Sequence, residues 1–156
     1  MARVREARDA LGEQLLAEVH ALRAGFEPER LHWVRRRVRR LRYTAELQAQ
    51  LQARRLTAPQ QLKKLQGVLG ELNDAWVMAG WLETREASAR DRGDDGLAAQ
   101  AHQLRAWALE RSRRKHGEWL ARDPVAVLRR ALASMGGRPS SRPGPEPPLR
   151  HSGSTG

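Results

Sequence analysis

The chemistry in this sequence begins with a row of cations. The stretch Leu31-His32-Trp33-Val34-Arg35-Arg36-Arg37-Val38-Arg39-Arg40-Leu41-Arg42-Tyr43-Thr44-Ala45-Glu46-Leu47 has the period of a helix. At roughly 100° per residue, Leu31, Val34, Val38, Leu41 and Ala45 share one face, which goes to a core. His32, Arg35, Arg39, Arg42 and Glu46 form the stripe beside it, with Arg36, Arg40 and Tyr43 just beyond. From His32 to Arg42 the stripe spans about 15 Å, at about 1.5 Å rise per residue. Guanidinium forks hold phosphate oxygens bidentately and keep their charge near neutral pH, so arginines at helical spacing suit successive phosphates. His32 heads the row and donates to phosphate most strongly when protonated. A charge run is commonly no more than a solvated helix face. Two features set this one apart. Only Arg42, with Glu46, has an acidic partner four residues on, so there is no salt-bridge ladder. The row also begins at the core boundary, where long side chains lie in a groove or snorkel.

A second unit follows: Leu62-Lys63-Lys64-Leu65-Gln66-Gly67-Val68-Leu69-Gly70-Glu71-Leu72-Asn73-Asp74-Ala75-Trp76-Val77. Leu62, Leu65, Leu69, Leu72 and Trp76 make a buried stripe, with Gln66, Gly70, Asn73 and Val77 beside it. Glycine inside a helix costs about 1 kcal/mol relative to alanine, so Gly70 calls for a packing reason such as close approach by a neighbour. Asn73 and Asp74 are placed to pin arginines or cap backbone, as scaffold groups rather than catalysts.

Helices must position both units. The first runs roughly from Arg5 to Arg23, with Leu11, Leu15, Leu16, Val19 and Leu22 on one face. Gly25 ends it, and Pro28 opens a second helix reaching about Arg55. Thr57-Ala58-Pro59-Gln60 has the form of a capping box with Thr57 as N-cap, starting a third helix that reaches about Arg90. The loop Asp91-Arg92-Gly93-Asp94-Asp95-Gly96 leads to a fourth from about Leu97 to Ala121. Asp123-Pro124 restarts a short helix ending near Met135. The expected architecture is all-α, an antiparallel bundle of four to five helices over residues 1–135. From Gly136 to Gly156, 14 of 21 residues are Gly, Pro or Ser, so 136–156 is read as a disordered tail.

Composition agrees. Of 156 residues, 21 are leucine and none is isoleucine, which favours helix over strand. The formal net charge is +11. Residues 30–66 hold 11 basic and one acidic side chain, so nearly all of the excess lies in that stretch. A polyanionic partner is expected. No apolar run is long enough to span a bilayer, and the N-terminus lacks the apolar stretch of a secretory signal. The absence of cysteine excludes disulfides, thiolate metal sites and cysteine nucleophiles, with the cytoplasm as the default location. His20, His32, His102, His116 and His151 have no metal-ligand spacing. Asp91, Asp94 and Asp95 lack the calcium-loop pattern. No Gly-rich phosphate loop and no Ser-His-Asp order is present, so neither an enzyme nor a metal or other cofactor is expected. Trp33, Trp76, Trp81, Trp107 and Trp119 are read as core or interface residues before base-stacking platforms.

The two units in this order carry a resemblance. His32, Arg35, Arg39, Arg40, Leu41, Arg42, Tyr43, Glu46 and Leu47, followed by Leu62, Lys63, Leu65, Gln66, Leu69, Gly70, Leu72, Asn73 and Asp74, resemble the CHAD family, the conserved histidine α-helical domain. The resemblance covers roughly residues 5–135. It implies an all-helical domain binding inorganic polyphosphate on a basic surface. Carried over by position, His32, Arg35, Arg39, Arg42 and Lys63 are the leading ligand-binding residues, and Arg36, Arg40 and Lys64 are secondary. Tyr43, Glu46, Gln66, Gly70, Asn73 and Asp74 belong to the structural motif. Family members commonly contain two related halves about a pseudo-twofold axis, whereas this chain resembles one, the C-terminal half. His102-x-x-Arg105 begins a second copy, but Leu109 stands at the position corresponding to Arg39. Gly67 departs from the acidic residue often found there. A homodimer would rebuild the enclosed basic surface. Association with polyphosphate granules follows from the same implication. The alternatives are a nucleic-acid-binding bundle, drawn by the same charge, and a structural or dimerisation module that has lost its ligand.

Overall fold

A computed structural model describes residues 2–53 and 55–136. Within them are five α-helices and no strand: α1 Ala2–Ala21, α2 Pro28–Leu51, α3 Ala58–Asp91, α4 Asp95–Ala121 and α5 Pro124–Ser134, with a 3₁₀ turn at Leu22–Ala24 after α1. The tail expected over 136–156 lies outside the described residues beyond Gly136.

The core face of α2 is the one read from its period: Leu31, Val34, Val38, Leu41 and Ala45 are all buried. They share a core with Leu15 and Val19 of α1, Leu22 of the 3₁₀ turn, Leu62, Leu65, Leu69 and Leu72 of α3, Trp119 of α4 and Leu128 of α5. Gly12 allows α1 to lie against α5, since a β-carbon there would sit 2.7 Å from a methyl of Leu132. The end of α5 is tied down by Arg8 and Gln48, which both donate to the Met135 carbonyl, at 2.6 and 3.0 Å.

Three boundaries differ from the expectation, each for a local reason. Helix α2 stops at Leu51, not near Arg55, because Leu51 is already exposed and Ala53 turns the chain at φ 46° toward Leu56 and the buried Ala58. Thr57 makes no side-chain cap. Its backbone is already helical, and Pro59 in the first turn has no N–H to satisfy. Helix α4 begins two residues early, at Asp95, because the Asp94 carboxylate accepts from the Leu97 N–H at 3.0 Å. The restart at Asp123-Pro124 is as read, with Asp123 accepting from the Ala126 N–H at 3.3 Å.

Helices α3 and α4 outrun their partners. Asn73 lies opposite His32, near the start of α2. Beyond it α3 continues for 18 residues to Asp91, about 27 Å of helix, with α4 returning alongside. Along this hairpin the apolar seam is built from small side chains: Ala75, Ala79, Leu82, Ala89, Ala98, Ala101 and Ala108, backed by Leu109. Glu86 is buried in it, bonded to Arg90, to His102 at 3.1 Å and to Arg105 at 3.4 Å. Burial alone would raise the Glu86 carboxyl, but the bond from His102 and the neighbouring cations outweigh it and hold it low. His102 and Arg105, which begin the failed second motif, therefore serve this carboxylate.

His116 is buried between Phe26, with ring centroids 5.5 Å apart, and Trp119, at 6.0 Å. Burial lowers its pKa from the ordinary 6.5, partly opposed by a bond with the Leu22 backbone. At higher pH the ring is neutral in both folded and unfolded chains and adds nothing to the pH dependence. As pH falls through the unfolded value, the unfolded chain takes up the proton first, and stability declines until the lower folded value is reached. Thermal melts are expected to show Tm falling from pH 7.5 to 5.5, with the decline reduced in His116→Gln. An equal decline in that variant would assign the effect elsewhere.

Candidate functional site

The arginine row lies along the groove between α2 and α3. His32 Nδ1 donates to Asn73 Oδ1 at 2.5 Å. Arg35 Nε lies 4.0 Å from where a β-carbon of Gly70 would be. These two contacts set an antiparallel register, which brings Arg39 level with Gln66 and Arg42 level with Lys63. The site is therefore a four-rung ladder: His32 and Asn73, Arg35 and Gly70, Arg39 and Gln66, Arg42 and Lys63.

Each rung has a local cause. Asn73 is buried and pins the histidine, where the expectation had it pinning an arginine. With Nδ1 engaged, Nε2 is the ring nitrogen left to meet a ligand, as a donor when the ring is protonated. A β-carbon at Gly70 would meet just the Arg35 Nε, at an ordinary contact distance, so the close helix approach expected there is not found.

Tyr43 orders the next two rungs. Arg39 Nε donates to its hydroxyl at 3.0 Å, and the guanidinium carbons of Arg39 and Arg42 stand 5.5 and 4.8 Å from its ring centroid. The Arg39 hydrogen bond, aided by both positive charges and opposed by desolvation, lowers the Tyr43 pKa from its usual 10. Glu46 pairs with Arg42 at 3.5 Å and is the sole carboxylate in residues 30–66.

The ladder has spare hydrogen-bonding capacity. Arg35 Nε, Arg42 Nε and Gln66 Oε1 are buried without a hydrogen bond, although Arg42 Nε has Glu46 Oε1 beside it at 3.5 Å. A buried polar atom left unbonded costs about 1–3 kcal/mol, a cost that water or a bound anion in the groove would relieve. Two of the three are cationic donors, which suit an anion.

Not every expected residue joins the row. Arg36 is exposed beyond its outer edge. Arg40 lies on the opposite flank of α2, where it and Arg37 line a cavity of about 450 Å³ against α1. Lys64 is exposed and about 100° around α3 from Lys63, so it points away from the groove. Asp74 is exposed and forms no ion pair among the described residues. Trp76, expected in the core, is only half-buried and lines a groove of about 370 Å³ with Gly80 and Leu109, above the His32 end of the ladder.

No group of His, Asp or Glu among the described residues is arranged to hold a metal ion, and no helix there is long and apolar enough to cross a membrane. No curated protein and no solved structure matches this chain. A model of the CHAD domain does match, over residues 6–153, which takes in the ladder, all of α2 to α5 and most of α1. On that match, and with the ladder motif placed on one groove of an all-helical fold, the protein belongs to the CHAD domain family.

Proposed function

We propose that the protein binds inorganic polyphosphate along the α2–α3 ladder and performs no bond chemistry on it. The observation that supports this reading most directly is the row of His32, Arg35, Arg39 and Arg42, in which buried Nε donors of Arg35 and Arg42 make no hydrogen bond and Glu46 is the one carboxylate nearby. Successive phosphates of a linear chain present repeated oxygens, and guanidinium groups one helical turn apart answer with repeated donors. Lys63 adds a cation from α3, while Arg36 adds diffuse attraction at the rim. Tyr43 and Asn73 hold the donors in place, so less side-chain entropy is lost on binding. Once bound polyphosphate has neutralised the row, a second copy facing the ladder would enclose the ligand, in keeping with the two-half pattern of the family. The proposed location is the cytoplasm, with polyphosphate granules.

Nucleic acid is the second reading, favoured by the same charge. The two separate in a competition titration at about 0.15 M ionic strength, following tryptophan fluorescence with long-chain polyphosphate and duplex DNA. Polyphosphate is expected to bind more tightly by at least about tenfold, or about 1.4 kcal/mol. A tenfold preference for DNA would establish the alternative. Binding of neither would leave a structural module.

A further inference from the structure

We propose that the outer face of the α3–α4 hairpin is a self-association surface that pairs with the same face of a second copy. Trp81 is 58% exposed, Trp107 53%, Leu104 54% and Met78 47%. The ion pairs Glu83–Arg105 and Glu71–Lys115 set the hairpin register, which puts Trp81 level with Trp107. By helical period all four side chains lie on one side of the hairpin. Arg85 lies 4.9 Å over the Trp81 ring and Arg111 5.6 Å over the Trp107 ring, framing the patch.

Three arguments identify the occupant. The first is area. These side chains offer on the order of 400–500 Å² of apolar surface, within the roughly 300–600 Å² of the largest patch on a typical monomer, which is often functional. With the arginine rim this approaches the roughly 800 Å² per partner of a stable interface. The second is construction. Two helices extending about 27 Å over a seam in which Leu82 is the sole buried apolar side chain larger than alanine bury little apolar volume between them. Two such hairpins packed face to face make a four-helix bundle, with both tryptophan pairs inside. The third is charge. From Asp74 to Ser112 there are five arginines against seven carboxylates, although the chain as a whole carries +11. An anionic membrane or nucleic acid gains nothing at this end of the molecule. Two copies meet there without the repulsion that the ladder ends would impose. A twofold contact matches each patch with itself.

The proposal rests on no assumption about the ladder's ligand, and its test contains no polyanion. Sedimentation of the full chain from about 1 to about 100 µM in high salt is expected to show a concentration-dependent dimer. Trp81→Glu/Trp107→Glu is expected to be monomeric throughout, with its helical circular dichroism retained. Hydrogen exchange of the unsubstituted chain supplies a readout that needs no variant: protection across residues 76–110 is expected to rise with concentration. A monomer at the highest concentration, a dimer that survives the double substitution, or concentration-dependent protection confined to other helices would overturn the proposal. A chain lacking the ladder arginines must still dimerise.

Discussion

Substituting Arg35, Arg39 and Arg42 together by glutamine is expected to weaken polyphosphate binding at least about 100-fold while the fold persists. A hydrogen bond to a charged group contributes about 1.5–3 kcal/mol, so each arginine is worth about tenfold or more, and neighbouring rungs need not add linearly. The fold should survive because glutamine has nearly the helix propensity of arginine and the core stripe from Leu31 to Ala45 is untouched. The three side chains hold nothing structural beyond the exposed Tyr43 and the half-exposed Glu46. Removing like charges should leave Tm level or slightly higher. The salt dependence of binding should also flatten, by about 0.7 in log–log slope per lost phosphate contact if polyphosphate behaves as a single strand. Arg37→Gln is the decisive control. It removes one charge from the same helix, but Arg37 stacks at 4.6 Å on Trp33 and lines the α1 side. Isothermal titration should find its affinity within about twofold of the parent once charge screening is matched. If Arg37→Gln costs as much as Arg39→Gln, binding responds to net charge and the ladder geometry is irrelevant.

Trp119→Ala is expected to cost about 3–5 kcal/mol of stability, the range for emptying a buried large aromatic site. Trp119 is the largest fully buried side chain, and it belongs to the main core with the apolar faces of the other helices. A loss of that size lowers Tm by roughly 10–20 °C for a domain of this length. Trp119→Phe is expected to cost less than half as much. It keeps most of the apolar contact and removes an indole N–H that is buried without a protein partner, whose burial is itself unfavourable. Urea melts followed by circular dichroism would measure both. Equal losses for the two variants would show that the indole N–H makes a bond worth more than the cavity.

Much of this was legible in the sequence because it depends on local period. The buried face of α2 follows from spacing alone, since residues three and four apart must share a helix face whatever lies opposite. The same rule placed His32, Arg35, Arg39 and Arg42 in one stripe at the core boundary, and the motif pair pointed to the family that the domain match establishes. Gly25, Pro28 and Asp123-Pro124 marked helix ends because backbone restrictions act within a few residues. The Thr57 cap did not form, since Thr57 is drawn into helical dihedrals when the chain turns back to seat Leu56 and Ala58.

What period cannot supply is register between helices. Arg40 and Lys64 carry the same charge as their neighbours, yet interhelix packing leaves one facing α1 and the other turned from the groove. Asn73 meets His32 across 41 residues of chain, a pairing invisible to any local window. The tryptophans at 81 and 107 looked alike to Trp119 in sequence. Trp119 is buried because it falls where α4 joins the main core, while Trp81 and Trp107 are exposed because α3 and α4 extend past that core. The sequence by itself determined five amphipathic helices and a row of cations on one of them. The tertiary structure decided which cations face a common groove and which apolar face is left open, because both depend on how far each helix runs beside its neighbours.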